Sequence, residues 1–486
     1  MVQAHPSMER GARFSGTPPH DMAGYIADAE YPRHFFRETM PLWLASVATA
    51  IGRRAPDLAV PYTWLELGCG SGLGAVLAAA TNPLGRFIGI DANPRAIERA
   101  HALAASAGVP NAQFLGLGFE RAAGVDGLGL PACDFIVVHG VYSWIGPRQR
   151  LAIRTLVRQH LKPGGILYLG YLSQPGSASF AAAQRMVRLH TQDRPGSSAA
   201  KARDAIALLH RMAHAGLGYF QDVPSALANI PAADSLDEEG AAYQAHDLLN
   251  RHWDALHVSD VMEDFAAVDC EFIGSAAPYE NIDDASLPER GSVLLQQLRA
   301  QGATSAEVET FKDLARNQVS RADLYQRRHP DGNVLGEQQH RRALLAQRVC
   351  LLPDAPGETV PAQGTLTFQS RIGPVGLPMQ HVAPLLNALQ GGSRSYAELA
   401  QLPAYAAQPG AINSLLQMLA WAGWLHFVRP DTARGVAAGS AAGRFNEALD
   451  KLPKPYNGAI RAHGPIGSAF RIADKPPSGH SLQRMS

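Results

Sequence analysis

Residues 63–91, with the sequence TWLELGCGSGLGAVLAAATNPLGRFIGID, constrain the fold more than any other stretch. Apolar residues typical of a buried strand come first, glycine follows at positions 68, 70 and 72, and small residues then indicate a helix. A second apolar segment, residues 86–90, predicts another strand and leads into Asp91. Glycines carry no side chain, so backbone groups in such a turn lie close to any ligand at the helix N-terminus. We therefore predict an α/β domain with a site for a ribose-containing cofactor in this turn.

Two classes of cofactor are compatible with this turn. Residues 70–75 fit the loose dinucleotide pattern G-x-G-x-x-A, which is a weak signal by itself. Asp91, about twenty residues beyond the glycines, suits the ribose hydroxyls of either cofactor. Glu66 distinguishes them, because the string Glu66-x-Gly68-x-Gly70-x-Gly72 resembles motif I of the class I S-adenosylmethionine methyltransferases. This resemblance implies that the Glu66 carboxylate lies near the methionine ammonium of the cofactor, a charge that nicotinamide cofactors lack.

Later segments extend the same pattern of strands. Residues 113–120 predict the third strand and its exit loop, and residues 133–138 form an apolar run typical of a strand covered on both faces. Residues 162–165 read Lys-Pro-Gly-Gly and precede a fifth strand, residues 166–169. This string is a frequent companion of the glycine motif in class I methyltransferases. We expect the last two strands after an insertion, at residues 270–275 and 321–327.

The class I resemblance implies a set of cofactor-binding residues. Gly118 and Phe119 occupy the place of a polar adenine contact, which predicts backbone contacts and apolar packing on the adenine ring. Aromatic residues before the first strand would shield the sulfonium from water or, alternatively, would pack a helix onto the core. The residues that we predict to bind the cofactor are Tyr31, Phe36, Glu66, Gly68, Cys69, Gly70, Gly72, Asp91, Ala92, Asn93, Gly118, Phe119, His139 and Gly140.

Residues after the fourth strand are candidates for catalysis, because ligands bind at the carboxyl ends of parallel strands. His139 is a candidate proton acceptor, Tyr142 carries a hydroxyl that can orient an amine, and Trp144 offers an apolar wall. The alternative interpretation of His139 is a hydrogen bond that fixes the backbone, or a contact to the cofactor. We predict catalytic roles for all three side chains.

The composition of the 486-residue chain narrows its possible functions. The formal net charge is zero and the pI is about 7.3, which argues against nucleic acid or an acidic membrane as a partner. The four cysteines are far apart, and the histidines at positions 246, 252 and 257 have no cysteine or carboxylate cluster, so we predict neither disulfides nor a metal site. We see no signal-peptide pattern and no apolar run of about eighteen residues. We expect a cytoplasmic protein.

The chain as a whole resembles the bacterial class I methyltransferases that carry a methyltransferase regulatory domain, among them the Rickettsia-type protein lysine methyltransferases of outer-membrane proteins. The segments that carry the resemblance include residues 31–41, 66–72, 89–94, 139–144, 162–165, 243–247, 317–318 and 367–368. Relatives have Tyr-Asn-x-x-Pro-Gly-Trp after the fifth strand, where residues 171–177 here read Tyr-Leu-Ser-Gln-Pro-Gly-Ser. The resemblance implies methyl transfer from S-adenosylmethionine to a lysine-type amine of a protein.

We therefore expect a Rossmann-like class I methyltransferase sheet with a helical insertion and a C-terminal winged-helix-like α+β domain. The expected divisions are an N-terminal helical cap (1–60), the cofactor-binding core (61–175), a helical insertion for substrate or dimer contact (176–245), completion of the core in the regulatory-domain region (246–328), a linker (329–362), the winged-helix-like domain (363–430) and a flexible tail (431–486). Two alternatives stay open, namely a small-molecule O- or N-methyltransferase and a non-catalytic scaffold that binds the cofactor. A homodimer is compatible with this layout, whereas nucleic acid and membrane insertion are not expected.

Overall fold

A seven-stranded sheet forms the centre of the molecule. The computed structural model describes residues 24–124, 129–227, 230–356, 360–405, 410–430, 440–453 and 458–472. The strands of the sheet are β1 (Tyr62–Leu67), β2 (Gly85–Asp91), β3 (Ala112–Gly116), β4 (Cys133–Val138), β5 (Leu161–Leu172), β6 (Cys270–Ser275) and β7 (Ser320–Arg327). Their spatial order is β3-β2-β1-β4-β5-β7-β6, and β7 runs antiparallel to both of its neighbours. The predicted α/β sheet with two late strands is confirmed.

The order of the strands determines where a ligand can bind. From β1 the chain proceeds outward to β2 and β3, and it then returns to place β4 on the other side of β1. Connections therefore leave β1 and β4 in opposite directions, which opens a crevice at their carboxyl ends. The glycine turn and residues 139–144 both lie at this edge of the sheet.

Helices cover both faces of the sheet and create two cores. The helices that belong to the sheet are α1 (Pro41–Ala50), α2 (Leu73–Thr81), α3 (Pro94–Ser106), α4 (Phe119–Gly124), α5 (Pro147–His160), α10 (Val258–Ala266), α11 (Asp283–Ser286), α12 (Glu289–Ala300) and α13 (Ser305–Arg316). Side chains of β4 alternate between the cores, with Phe135 and Val137 in the core beside α1 and α2, and Ile136 and Val138 in the core beside α5 and α10. The continuous apolar run of β4 follows from this double coverage.

The insertion is a small helical unit with its own core. It contains α6 (Ala181–Thr191), α7 (Ser198–His214), α8 (Gly218–Asp222) and α9 (Glu238–Leu248). After α9 the chain crosses the exits of β4 and β5, where the amide of Asp254 donates to the carbonyl of Ser143 (2.9 Å) and the amide of Leu256 donates to the carbonyl of Leu172 (2.9 Å). The end of α9 is therefore tied to the edge of the sheet that carries the ligand crevice.

The C-terminal region starts earlier than expected. Its elements are α14 (Glu337–Ala346), β8 (Arg348–Leu351), β9 (Thr365–Ser370), β10 (Gly373–Pro378), α15 (Met379–Leu389), β11 (Arg394–Ser395), α16 (Tyr396–Ala400), α17 (Ala411–Trp421) and β12 (Leu425–Phe427). The linker prediction for residues 329–362 is wrong for α14 and β8, because β8 is the middle strand of the sheet β11-β8-β12 and Val349 is fully buried. The hairpin β9–β10 precedes the helices, and the winged-helix assignment stays a prediction.

The tail also departs from expectation. It forms α18 (Ala441–Leu449) and a hairpin of β13 (Ile460–His463) and β14 (Ser468–Arg471). Phe445 is fully buried, and the side-chain amide of Asn82 at the end of α2 donates to the carbonyl of Gly467 (2.9 Å). The prediction of a flexible tail is therefore wrong for these elements, while residues 431–439, 454–457 and 473–486 lie outside the described ranges. Within those ranges, we find no helix with both the length and the apolar character needed to cross a membrane.

Candidate active site

The glycine turn after β1 is held to β2 by its own backbone. The amides of Gly68 and Cys69 both donate to the carbonyl of Ile90, at 2.8 and 3.1 Å, and the amide of Gly70 donates to Oδ2 of Asp91 at 2.9 Å. These N–H groups, which the sequence suggested for ligand contact, therefore serve to position the turn and the Asp91 carboxylate. The Cys69 side chain is buried beside Gly89, so Cys69 can offer a ligand only backbone atoms.

The three glycines have different reasons to be glycine. All have positive φ, at +86° for Gly68, +52° for Gly70 and +74° for Gly72. A Cβ atom at Gly68 would lie 2.3 Å from Val141, and one at Gly72 would lie 2.6 Å from Ala100, whereas one at Gly70 would meet no atom within 4 Å. Gly68 and Gly72 therefore permit close packing. Gly70 borders open space, as expected of the residue against which a ligand rests.

Glu66 is a buried carboxylate without a counter-charge. Its Oε2 atom is buried and has no hydrogen-bond partner among the residues that the structure describes. Burial, and then the negative charge of Asp91, raises the pKa of Glu66 to about 8. An unpaired buried carboxylate is costly. A cationic group of a ligand would remove that cost, and the methionine ammonium of S-adenosylmethionine is such a group.

Asp91 is arranged to accept further hydrogen bonds. Its Oδ1 atom accepts from the amide of Asn93 (2.8 Å) and its Oδ2 atom from the amide of Gly70 (2.9 Å), and each carboxylate oxygen has a second lone pair. Burial raises the pKa of Asp91. The Asn93 side chain caps α3 by accepting from the amides of Arg95 and Ala96. Asp91 thus fits a pair of ribose hydroxyls, while the contacts predicted for Ala92 and Asn93 stay predictions.

The exits of β3 and β4 complete the open side of the crevice. Cβ atoms at Gly118 and Gly140 would meet nothing within 4 Å, and the end of the Phe119 ring lies 3.9 Å from the position that a Cβ atom would have at Gly68. Phe119 is half-buried beside the glycine turn. This placement is compatible with the predicted packing on adenine.

Aromatic rings from two distant segments cover the crevice. We call them the aromatic arch, which consists of Tyr25, Tyr31, His34, Phe36, Tyr243 and His246. Successive ring centroids are 5.3 Å apart for Tyr25–His246, 5.1 Å for His246–Tyr31, 6.0 Å for Tyr31–Tyr243, 5.3 Å for Tyr243–His34, 5.8 Å for His34–Phe36 and 3.8 Å for Phe36–His139. At the other end, burial and then the charge of Asp91 raise the pKa of Tyr25. The arch therefore ends on the His139 ring, and the Tyr25 hydroxyl at its other end lies within the electrostatic influence of Asp91.

Of the N-terminal aromatic residues, neighbours in sequence have different roles. Phe35 is buried in the core beside α1, as the packing alternative expected. Phe36 instead lies against the His139 ring, and Tyr31 contacts rings of α9. Their predicted role as a cofactor cap stays a prediction that this placement favours.

His139 is a neutral side chain within this arrangement. Its Nδ1 atom lies 2.8 Å from the hydroxyl of Tyr168 on β5, so the two groups share a hydrogen bond. Burial, and then the charge of His34, lowers the pKa of His139 to about 4. Tyr168 is also neutral, since burial raises its pKa well above the ordinary value. The catalytic role of His139 stays a prediction.

Tyr142 does not lie in the crevice, and the prediction that it orients the acceptor is wrong. It is fully buried in the core beside α5 and α10, where its ring packs on Phe265 and its hydroxyl donates to Oδ2 of Asp264 (3.3 Å). The chain turns at Gly140, whose φ is +63°, so Tyr142 enters the opposite core from His139. Trp144 is half-buried, and its predicted role as an apolar wall stays a prediction.

Three residues of this region were missed or interpreted differently from sequence. Tyr168 is one of several apolar and aromatic residues of β5 and has no distinguishing motif in sequence. It lies two residues after Ile166, so both side chains are on the same face of the sheet, which is the face where Tyr168 meets His139. Tyr243 and His246 stand in sequence only as members of a segment that carries the family resemblance, and His246 also as a histidine without a metal-ligand cluster. The Nε2–H group of His246 donates a hydrogen bond to the carbonyl of Ala29 (3.0 Å), in addition to the place of this ring in the arch. No group of three metal-ligating side chains occurs in the described ranges.

Comparison with known proteins agrees with this geometry. Residues 65–167 match the family model described as "Methyltransferase domain", and residues 240–327 match "Predicted methyltransferase regulatory domain". The uncharacterized protein sll1526 of Synechocystis sp. is 30% identical over 378 residues, which cover 77% of this chain and 71% of that protein. The uncharacterized protein RP028 of Rickettsia prowazekii is 27% identical over 165 residues, which cover 34% of this chain and 64% of RP028. PKMT2 from Rickettsia typhi, solved in complex with AdoHcy, superposes with a TM-score of 0.65 at 18% identity and covers 91% of this chain and 86% of that chain.

The fold and the crevice define a class I methyltransferase, an enzyme class whose methyl donor is S-adenosylmethionine. More narrowly, the chain belongs to the family of methyltransferases with a methyltransferase regulatory domain, to which the matches with both family models and with sll1526 assign it. The predictions of the Rossmann-like class I methyltransferase sheet, the enzyme class and the cofactor are confirmed, and the winged-helix assignment of the C-terminal region stays a prediction.

Proposed function

We propose that this methyltransferase transfers methyl groups to a lysine-type amine of a protein. The observation that carries the proposal is the group formed by Phe36, His139 and Tyr168, which lies at the end of the crevice opposite Asp91. This group contains an aromatic ring, a neutral imidazole and a neutral phenol. It is therefore uncharged, polar at two points and poorly hydrated.

The residues that would hold the donor are those whose surroundings fit it. Glu66 would pair with the methionine ammonium, Asp91 with the ribose hydroxyls, and Phe119 with the adenine, while Gly70 leaves room for the chain between them. When bound, S-adenosylmethionine supplies a methyl group on a positively charged sulfur. The protein must then place an acceptor atom about 3 Å from that carbon and in line with the C–S bond.

An uncharged aromatic site suits an amine acceptor in particular. A lysine side chain is mostly protonated at neutral pH and has no lone pair for attack, and poor hydration favours its neutral form. The neutral amine forms the new C–N bond as the C–S bond breaks with its electron pair left on sulfur. The Nδ1 atom of His139 and the hydroxyl of Tyr168 are hydrogen-bonded to each other, which leaves Nε2 of His139 to contact the acceptor or the donor.

Two similarities support a protein acceptor. The Rickettsia-type protein lysine methyltransferases resemble this chain in the segments named above, and the solved structure of PKMT2 from Rickettsia typhi shares its fold over most of its length. The insertion and the C-terminal region, which a minimal methyltransferase does not need, offer surface for a large acceptor.

The test is transfer of labelled methyl from S-adenosylmethionine into a bacterial lysate that has been depleted of small molecules, compared with the small-molecule fraction alone. We expect the label in the protein fraction, stable to acid, and recovered as methyl-lysine after hydrolysis. Asp91→Ala is the control and should give no transfer. Label confined to the small-molecule fraction would contradict the proposal and favour the small-molecule alternative, and label in neither fraction would contradict it as well.

A further inference from the structure

The carboxylate of Asp247 lies on the face of α9 that is turned toward the active site. Ala242, Ala245 and Leu248 of α9 pack in the core of the insertion. Successive helical residues are rotated by about 100°, so Tyr243 and Asp247, one turn apart, lie on the opposite face. Tyr243 contacts Tyr31 and His34 of the aromatic arch, which shows that this face is directed at the arch.

The other side of the same space is the carboxyl edge of the sheet. Only seven residues after Asp247, at Asp254, the chain begins to cross the exits of β4 and β5, with the backbone hydrogen bonds to Ser143 and Leu172 already described. Between them, Asn250 binds the N-terminal segment by accepting from the amide of Ile26 (2.9 Å). Asp247 therefore lies on α9 between Tyr243, which contacts the arch, and the segment that crosses the exits of β4 and β5.

Asp247 has no counter-charge in this enclosure. No hydrogen bond or ion pair joins its carboxylate to any residue that the structure describes, and burial alone raises its pKa to about 6. The side chain nevertheless keeps part of its surface open, as do Glu66, Asp91 and His139.

The position of Asp247 also costs stability. It is in the last turn of α9, which ends at Leu248, and a negative charge near a helix C-terminus opposes the helix dipole. A carboxylate that is buried, unpaired and at the wrong end of a helix does not stabilise the fold. It is instead suited to bind a cation that is absent from the free enzyme.

We propose that Asp247 receives the ammonium group of the methyl acceptor. The carboxylate attracts the charged side-chain head to the aromatic site. The ammonium releases one proton to water, its lone pair then forms the C–N bond as the C–S bond breaks, and the carboxylate lies beside the nitrogen while positive charge develops on it. Glu66 and Asp247 thus divide the two ammonium groups of the reaction, since Glu66 suits the methionine ammonium and Asp247 the ammonium of the acceptor. This assignment rests on the proposed function, because only an amine acceptor needs a second carboxylate.

The test measures binding of butylammonium, which has the charged end of a lysine side chain, to the full-length enzyme saturated with S-adenosylhomocysteine. Titration calorimetry at pH 7.5 compares the natural enzyme with Asp247→Asn, an isosteric change that removes the charge. The matched control is Glu238→Gln, which changes an exposed carboxylate of the same helix that pairs with Arg203 at 3.0 Å. 1-Butanol serves as the neutral ligand.

We expect D247N to lose at least tenfold in butylammonium affinity, with 1-butanol and S-adenosylhomocysteine binding unchanged, and E238Q to behave like the natural enzyme. Asp247→Glu keeps the charge and should retain most of the affinity. Equal affinity of D247N and the natural enzyme overturns the assignment, and so does no butylammonium binding by the natural enzyme. If D247N is poorly folded, an equal loss in D247E overturns it, while retention in D247E supports it.

The outcome is separable from that of the proposed function. Butylammonium binding that depends on the Asp247 charge, without methyl transfer to protein, would support the cation site and contradict the proposal that the acceptor is a protein. Methyl transfer to protein that D247N leaves unchanged in rate and in KM would contradict the role of Asp247 alone.

Discussion

Binding of S-adenosylhomocysteine should depend on pH through Glu66, and the structure allows the size of the effect to be worked out. The pKa of Glu66 in the free protein is raised to about 8 because the carboxylate is buried and lies near Asp91. A ligand ammonium pairs only with the ionised carboxylate. Protonation of Glu66 therefore competes with binding, and affinity falls as pH decreases below about 8.

The expected change between pH 8 and pH 6 is about fiftyfold, or about 2.3 kcal/mol, if a single group with a pKa of about 8 must lose its proton. Above pH 8 the affinity should level off. At pH 7 the free protein should release close to one proton on binding, which calorimetry in buffers of different ionisation enthalpy measures directly.

Two controls separate Glu66 from other groups. 5′-Methylthioadenosine contains the adenine and ribose but no ammonium, so it retains the Asp91 contacts and should bind with a much weaker pH dependence. Glu66→Gln removes the titrating group. S-adenosylhomocysteine should then bind weakly, and its affinity should not change between pH 8 and pH 6. The same dependence of affinity on pH for both ligands would refute the assignment of Glu66 to the ammonium. A pH dependence that is unchanged in E66Q would also refute it.

Three further predictions follow from individual contacts. Asp91→Asn should weaken S-adenosylhomocysteine binding by at least about tenfold, because the amide loses one acceptor oxygen for the ribose and for the Gly70 amide; calorimetry would show otherwise if affinity were retained. Tyr142→Phe should leave kcat within about twofold of the natural value and lower the free energy of unfolding by about 1 kcal/mol, through loss of its bond to Asp264; a large drop in kcat would return Tyr142 to the mechanism. Arg321→Met should lower the free energy of unfolding by about 3–5 kcal/mol in urea titrations, because it leaves Glu309, Asp313 and Asp323 without their shared cation; a neutral effect would show that these carboxylates are satisfied by other groups.

The parts of the site that sequence could predict are those set by local geometry. Glu66, the glycines and Asp91 are separated by fixed steps along a strand, a turn and a second strand, so their spacing determines where they meet. Tyr142 shows the limit of this reasoning, because one residue in a left-handed conformation, Gly140, changes which core the following side chains enter. A sequence does not state that change of direction.

Contacts between distant segments were beyond sequence reasoning. The arch joins residues 25–36 to residues 243–246, and β8 pairs with strands that follow it by more than forty residues. Phe445 and the α18 helix lie among proline- and glycine-containing segments, whose composition favoured an extended tail over the amphipathic helix that packs on α2 and α3. In each case the contact is stabilised by burial of side chains against a distant segment, and the local sequence pattern does not identify that segment.

The region that matches the regulatory-domain model is part of the catalytic unit in structural terms. Residues 240–327 include most of α9 and both β6 and β7, which are the last two strands of the central sheet. Tyr325 of β7 is fully buried, and the hydroxyl of Tyr171 on β5 donates to Asp323 of β7 at 2.7 Å. The same region supplies Tyr243 and His246 of the arch and the carboxylate of Asp247. The strands that complete the sheet and the helix that carries Tyr243 and His246 therefore belong to one continuous segment, so a change in the packing of β6 and β7 can reach the arch through the chain between them.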